Sequence, residues 1–185
     1  GIRRELEALA AAAWPGEEHD ARVSFTHALD GLRDFILAAA EAVAEARAAA
    51  AGGRRTELDE LHAALINIAD AAPRTFLEGL QLVFLMDQAV MLGDAVGLVC
   101  PGHLDRTLIT LYEADRAAGR LERVRARELI AAFYVLINDT IPYGLAVAVM
   151  VGGRDAQGQD LTNDLSRLCL EALRDTALVY PTVGI

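Results

Sequence analysis

The sequence is short of cysteine, has no cluster of lysine or arginine, and lacks an uncharged run long enough to cross a membrane. Each shortage excludes something. Its only cysteines, Cys100 and Cys169, fall in a loop and in an apolar helix, which rules against a disulfide framework and points to a reducing compartment, the cytoplasm by default. The formal net charge is −10 and the arginines are scattered among acids, so neither nucleic acid nor an anionic membrane surface finds positive charge gathered on one face. The longest uncharged segment, Thr140 to Gly153, falls short of the roughly 20 residues a membrane helix needs, and no secretion signal opens the chain.

What is present is apolar and mostly helical. With 185 residues and 54% hydrophobic content the chain is long enough for one domain with a sizeable core. Gly1 to Trp14 reads as a helix stopped by Pro15 and Gly16. Phe25, Leu29, Leu32 and Ile36 recur at helical spacing in Ala21 to Ala51, continued by Val43, and Gly52-Gly53 ends that run. Leu58, Leu61, Leu65 and Ile68 repeat the pattern, with Thr56 as N-cap and Pro73 as stop, so the two segments form an antiparallel pair. From Phe76 to Leu92 the sequence is apolar on nearly every side and predicts a helix with neighbours on all faces. After the loop GDAVGLVCPG, Leu104, Leu108 and Leu111 mark a helix ended by Ala118-Gly119, and Leu129, Ala132, Phe133 and Leu136 mark another.

Only then does the period change. GLAVAVMVGG is a continuous apolar run with glycines at its exit, as in a parallel strand covered on both faces. A helix from about Leu161 to Thr176 and a second strand in VYPTVGI follow, a strand, loop, helix and strand that close with the strands parallel. The fold class is therefore α/β and helix-rich. Opening on glycine and closing inside a strand, the chain reads as a fragment.

GGRDAQGQDLTNDLS, Gly152 to Ser166, invites three chemical readings. A phosphate loop needs a lysine after its second glycine, where Gln159 and Asp160 stand. A dinucleotide fingerprint needs G-x-G-x-x-G, which Gly152, Gly153 and Gly158 do not supply. A calcium loop needs alternating acids before its glycine and a later glutamate, and the acids after Gly158 are off register. The remaining reading is a turn out of the strand, with Asp160 or Thr162 capping the next helix.

The same stretch, with the leucine-rich helix and Pro-Thr strand that follow, resembles the glycyl radical enzymes, the family of pyruvate formate-lyase and the diol, choline and hydroxyproline lyases. PRTFLEGLQ, Pro73 to Gln81, resembles the family's Pro-x-x-Phe-x-Glu-Ala-x-Gln segment, with Gly79 in place of alanine. PGHLDRTLITLYEADRAAGRL, Pro101 to Leu121, resembles its Gly-Arg-Phe-Asp segment with the Tyr-x-x-Asp helix and Gly-x-Leu turn. Together these segments place about Asp20 to Ile185 within the resemblance.

The resemblance implies a partial α/β barrel, with residues 1–72 as a helical N-terminal part and 73–185 as part of a half-barrel. It implies radical cleavage of a carbon-carbon or carbon-heteroatom bond in a small-molecule substrate. The glycyl radical would be installed by a separate iron-sulfur activase that uses S-adenosylmethionine. It also implies a homodimer when complete, anaerobic metabolism, and lyase or acyltransferase activity. The thiyl cysteine and the radical glycine would both lie beyond Ile185, so no residue here inherits a catalytic role, and no metal or cofactor is assigned to this chain.

Cys169 then reads as a core residue, and Cys100 with His103 lacks the second ligand pair that zinc needs. His103 replaces the family's usual arginine, which puts the neighbouring ion pair in doubt. Asp87 lies near where several members place a histidine, so it is the candidate substrate-pocket residue, an acid with a raised pKa. Glu78 and Gln81 are expected to hydrogen-bond within the barrel wall, and His19, His27 and His62 to be solvated. The alternative is a non-catalytic, split or degenerate scaffold subunit of the same fold.

Overall fold

Two compact units divide the chain at Pro73, Gly1–Pro73 and Arg74–Ile185. The computed structural model describes residues 4, 5, 7, 8, 16–94, 100–140 and 147–185. Most of the expected first helix, along with parts of the loop before Pro101 and of the segment before Val147, lies outside them.

In the first unit a long helix, α1 (Glu17–Ala49), reverses within two residues into α2 (Gly52–Asp70). The pair is antiparallel, since Arg33 meets Asp70 at 2.6 Å and Arg47 meets Asp59 at 3.3 Å. Exposed pairs of this kind contribute little, so the apolar seam does most of the holding. That seam buries Ile36, Ala40, Leu58, Ala64, Leu65 and Ile68.

Three expectations are corrected here. Gly52-Gly53 opens α2 instead of standing between helices, because Gly52 takes the turn itself at φ 56. Thr56 consequently sits inside the helix, and Ala51 occupies the cap position without a side-chain bond. Phe25, counted in the apolar stripe, is 60% exposed.

The second unit sets helices against a small sheet. In order they are α3 (Phe76–Asp94), β1 (Gly102–His103), α4 (Leu104–Ala117), α5 (Arg123–Thr140), β2 (Ala148–Met150), α6 (Asp164–Thr176) and β3 (Thr182–Gly184). The strands run parallel in the order β1-β2-β3, with His103 opposite Met150 and Met150 opposite Gly184. Gly102, expected to end a loop, opens β1, and two residues are too few to carry a period in the sequence. Val147, Val149 and Val151 are buried in the helix-covered core while Ala148 and Met150 are only half-buried, so the apolar run has one fully covered face.

The buried face of α5 is Ile130, Phe133, Tyr134 and Ile137, whereas Ala132 and Leu136, expected inside, are exposed. Tyr134 turns inward because its hydroxyl finds a buried acceptor, the Cys169 carbonyl at 3.3 Å. Helix α3 is well buried at Phe76 and Leu80, yet Met86, Val90 and Leu92 are 44%, 48% and 72% exposed. Among the described residues α3 therefore does not have neighbours on all faces, contrary to expectation. By length and composition alone Phe76–Gly93 would also suit a membrane, but Glu78 and Asp87 interrupt it. Gly79 in place of alanine is explained by packing: a Cβ there would lie 2.7 Å from a Leu108 methyl and 2.8 Å from one of Leu111.

Candidate functional site

Two of the three motif segments contribute the buried acids of the second unit, Glu78, Asp105 and Asp115, and the third contributes the buried Ser166. Asp105, completely buried in the first turn of α4, accepts from the Gly152 amide at 2.7 Å, from the Arg106 amide at 2.8 Å, and from the Ser166 hydroxyl. The Arg106 guanidinium reaches round to the Gly152 carbonyl. Gly152 leaves β2 at φ 62 with both its peptide groups held by α4, while Ser166 belongs to α6. One carboxylate thus ties α4, the exit of β2 and the start of α6.

Asp115 does similar work at the other end of α4. It accepts from the buried Phe76 amide at 2.8 Å and from Arg120 Nε at 2.8 Å, so it caps the start of α3 from outside. Its carbonyl receives the Arg120 and Leu121 amides, which closes the Gly-x-Leu turn around Gly119 at φ 68. Glu78 folds back on the Arg74 amide at 2.6 Å and its guanidinium at 3.1 Å. Glu78 thus hydrogen-bonds at the entry of α3.

The glycine-rich stretch is filled by its own side chains. Asp155 accepts from the Gln157 amide at 2.9 Å and the Gln159 amide at 2.8 Å, and Asp160 accepts from the Thr162 amide at 2.9 Å. Amides that would cradle an anion are already occupied, and among the described residues no three His, Cys, Asp or Glu side chains gather as a metal site. The cap of α6 is Asn163, in a reciprocal box with Ser166, not Asp160 or Thr162 as expected. Asp160 makes a local turn one step earlier. Beside the box, Tyr112 donates to Asp164 at 2.5 Å, and Arg123 forks onto Glu171 at 2.8 and 2.9 Å. Burial, then the bond to Asp164, pushes the Tyr112 phenol up to about 12.

These motifs are structural fastenings in a fixed order along the chain, and residues 2–185 match the model of the pyruvate formate lyase-like family. The chain belongs to that family. Among its relatives is the isethionate sulfite-lyase of Nitratidesulfovibrio vulgaris, 29% identical over 145 residues, covering 71% of this chain and 18% of the relative. The isethionate sulfite-lyase of Bilophila wadsworthia is 28% identical over 206 aligned positions, which take in 100% of this chain and 25% of that protein. A structure from work on 1,2-propanediol dehydration in Roseburia inulinivorans superposes with a TM-score of 0.85 at 22% identity, over 99% of this chain and 25% of that one, and shows the fold. A glycyl radical enzyme from Archaeoglobus fulgidus superposes with a TM-score of 0.79 at 26% identity, again over 98% and 25%. The family member described here thus spans 18% to 25% of the length of these proteins.

Asp87 stands apart from the fastened acids. On α3 it falls seven residues after Leu80 and four after Val83, on the stripe that faces the core, one turn beyond where that core ends. Burial raises its carboxyl from the ordinary 3.8 to about 6. Its neighbour Gln88 donates to Thr140 of α5 at 3.2 Å. The sign of the pH effect follows directly. A folded pKa above the unfolded one means that the folded state holds the extra proton, so stability falls as pH rises from about 4 to about 6. Asp87→Asn is therefore expected to raise the urea midpoint at pH 7 and to flatten its dependence over that window. An unaltered midpoint and slope would show that the carboxyl is not desolvated.

Cys169 is fully buried and its thiol is pushed up to about 12 by burial, whereas Cys100 is exposed. A thiol reagent added to the native chain is expected to modify Cys100 at once and Cys169 only on unfolding. Equal rates at the two sites would contradict this packing. His103 ends β1, and its Nδ1 is buried without a hydrogen-bond partner among the described residues. His19 and His27 are exposed and His62 is half-buried.

Proposed function

We propose that the chain is the N-terminal to middle part of a glycyl radical lyase, supplying helices and parallel strands to one half-barrel of a larger α/β barrel. The observation that carries this reading is the family match over residues 2–185, joined to relatives whose names are those of lyases and dehydratases. In this reading residues 1–72 are the helical approach and 73–185 the barrel part, and the reaction breaks a carbon-carbon or carbon-heteroatom bond of a small metabolite. The radical is protein-derived and comes from an S-adenosylmethionine-dependent iron-sulfur activase. No residue of this chain carries it. The complete enzyme is a cytoplasmic homodimer of anaerobic metabolism, and Asp87 faces its substrate pocket.

The pocket role of Asp87 is supported by its position on the inward stripe and by its lack of a partner among the described residues. A carboxylate that weakens the fold and satisfies no neighbour is held for something other than stability.

The test activates the polypeptide that carries this chain with a radical activase under anaerobic conditions and analyses products from isethionate, 1,2-propanediol and hydroxyproline. Cleavage or dehydration of one of them is expected, with Asp87→Asn stabilised but at least about tenfold slower. Wild-type speed in Asp87→Asn removes that residue from the pocket. A second reading, a non-catalytic scaffold subunit, draws on the departures at His103 and Asp87. It predicts no product from any of the three compounds in a polypeptide that folds and assembles.

A further inference from the structure

Helices α3 and α5 lie side by side and point the same way. Phe84 meets Phe133 with ring centroids 6.4 Å apart, and further along Gln88 donates to Thr140, the last residue of α5, at 3.2 Å. The carboxyl end of α5 therefore rests against α3 beside Asp87, and α3 ends on the same side. Helix carboxyl ends carry partial negative charge, so two of them together favour a cation and oppose an anion.

Chains ordinarily answer that field with a basic residue in the last turn, and neither helix has one. The sequence extends the point over a longer range: Thr75 to Gly102 and Glu128 to Gly153 contain no arginine or lysine. The arginines that bound these two runs are engaged elsewhere. Arg74 pairs with Glu78 at 3.1 Å, Arg106 donates to the Gly152 carbonyl, Arg127 pairs with Asp175 at 3.4 Å, and Arg154 donates to the Gly158 carbonyl at 2.9 Å. Asp87 adds a negative charge of its own to this corner. It is half-buried, and at neutral pH its carboxyl is mostly ionised. In such a setting a charge acts through an effective dielectric well below that of water, so one carboxylate alters the affinity for a charged group beside it by about tenfold or more.

We infer that Asp87 and the paired helix ends set the charge class of the substrate: the group lying beside Asp87 is an ammonium, and a sulfonate or carboxylate in its place is turned away. The inference rests on the pocket reading of Asp87 above and narrows it. Isethionate, the compound in the names of two relatives, is an anion and falls on the excluded side. Asp87 acts here through its charge and selects among substrates, with no proton transfer assigned to it.

The test uses three two-carbon alcohols that differ in charge: 2-aminoethanol, positive at neutral pH, ethylene glycol, neutral, and isethionate, negative. Their dissociation constants are measured by saturation-transfer NMR on the polypeptide that carries this chain, without activation, in wild type and in Asp87→Asn. The expected order in wild type is 2-aminoethanol tightest and isethionate weakest, each about tenfold from ethylene glycol. In Asp87→Asn the spread shrinks by at least about threefold on each side, because 2-aminoethanol binds more weakly and isethionate more tightly, while ethylene glycol is little altered. Isethionate binding as tightly as 2-aminoethanol in wild type overturns the inference. So does a spread that Asp87→Asn leaves unaltered, or no binding by any of the three. Should Asp87→Asn fail to fold, the wild-type order still decides. Failure of the lyase reading shows separately, as absence of a radical by electron paramagnetic resonance in the activated protein, whatever the order of the three constants.

Discussion

Replacing Asp105 with alanine will destabilise the 74–185 part by about 2–5 kcal/mol, the largest single effect expected in the chain. The magnitude follows from what is left behind. The carboxylate is completely buried and receives the Gly152 amide and the Ser166 hydroxyl, and each donor stranded without water or partner costs about 1–3 kcal/mol. The Gly152 peptide would then be held only through its carbonyl, by Arg106. Asp105→Asn retains one acceptor oxygen and is expected to recover part of the loss. Equilibrium urea unfolding, followed by tyrosine fluorescence, measures both variants. A loss under about 1 kcal/mol in Asp105→Ala would mean that water replaces the carboxylate and that the site is not sealed.

Asp115→Ala is the second large effect, about 2–4 kcal/mol. Two terms add here. The Phe76 amide, at the buried start of α3, loses the acceptor that Asp115 offers it from outside its own helix, and Arg120 loses its carboxylate at 2.7 Å. Arg120 is half exposed, so its share is small, and most of the loss comes from the uncapped helix. Asp115→Asn should accordingly lie much nearer wild type than alanine, since an amide oxygen still accepts from Phe76. If asparagine were as damaging as alanine, the ion pair would be the main term and the capping account would be wrong. Hydrogen exchange at the Phe76 amide provides a local check, with protection lost in the alanine variant and kept in the asparagine one.

What was legible in the sequence was whatever repeats or punctuates. The apolar stripe of α2 and the strand in GLAVAVMVGG announced themselves by period and length. The end of α4 was legible because Gly119 marks it. What escaped was short or relational. β1 is two residues long and exists only because β2 lies beside it. The inward face of α5 lies one position on from the apolar spacing, because Tyr134 looks polar until its hydroxyl is seen against the Cys169 carbonyl. Asp160 and Thr162 each suit a cap of α6 by residue type, but the box with Ser166 selects Asn163.

The site followed the same division. GGRDAQGQDLTNDLS was recognised as a turn because the phosphate, dinucleotide and calcium patterns each lack a required residue, and the structure fills its amides with Asp155 and Asp160. Asp105 and Asp115 sit inside segments whose resemblance to the family was plain, yet nothing local told that they reach across 47 and 39 residues to the Gly152 and Phe76 amides. The doubt raised by His103 about a neighbouring ion pair is settled differently. Asp105 is held by backbone amides and a hydroxyl, so it does not need an arginine at position 103.

The decisive property of the proposed lyase is its protein radical. It is tested most directly by electron paramagnetic resonance on the polypeptide that carries this chain, after anaerobic incubation with a radical activase, S-adenosylmethionine and a reductant. The account predicts a carbon-centred doublet that is lost on exposure to air. A folded, assembled polypeptide that stays silent with a competent activase would contradict it and leave the scaffold reading in its place.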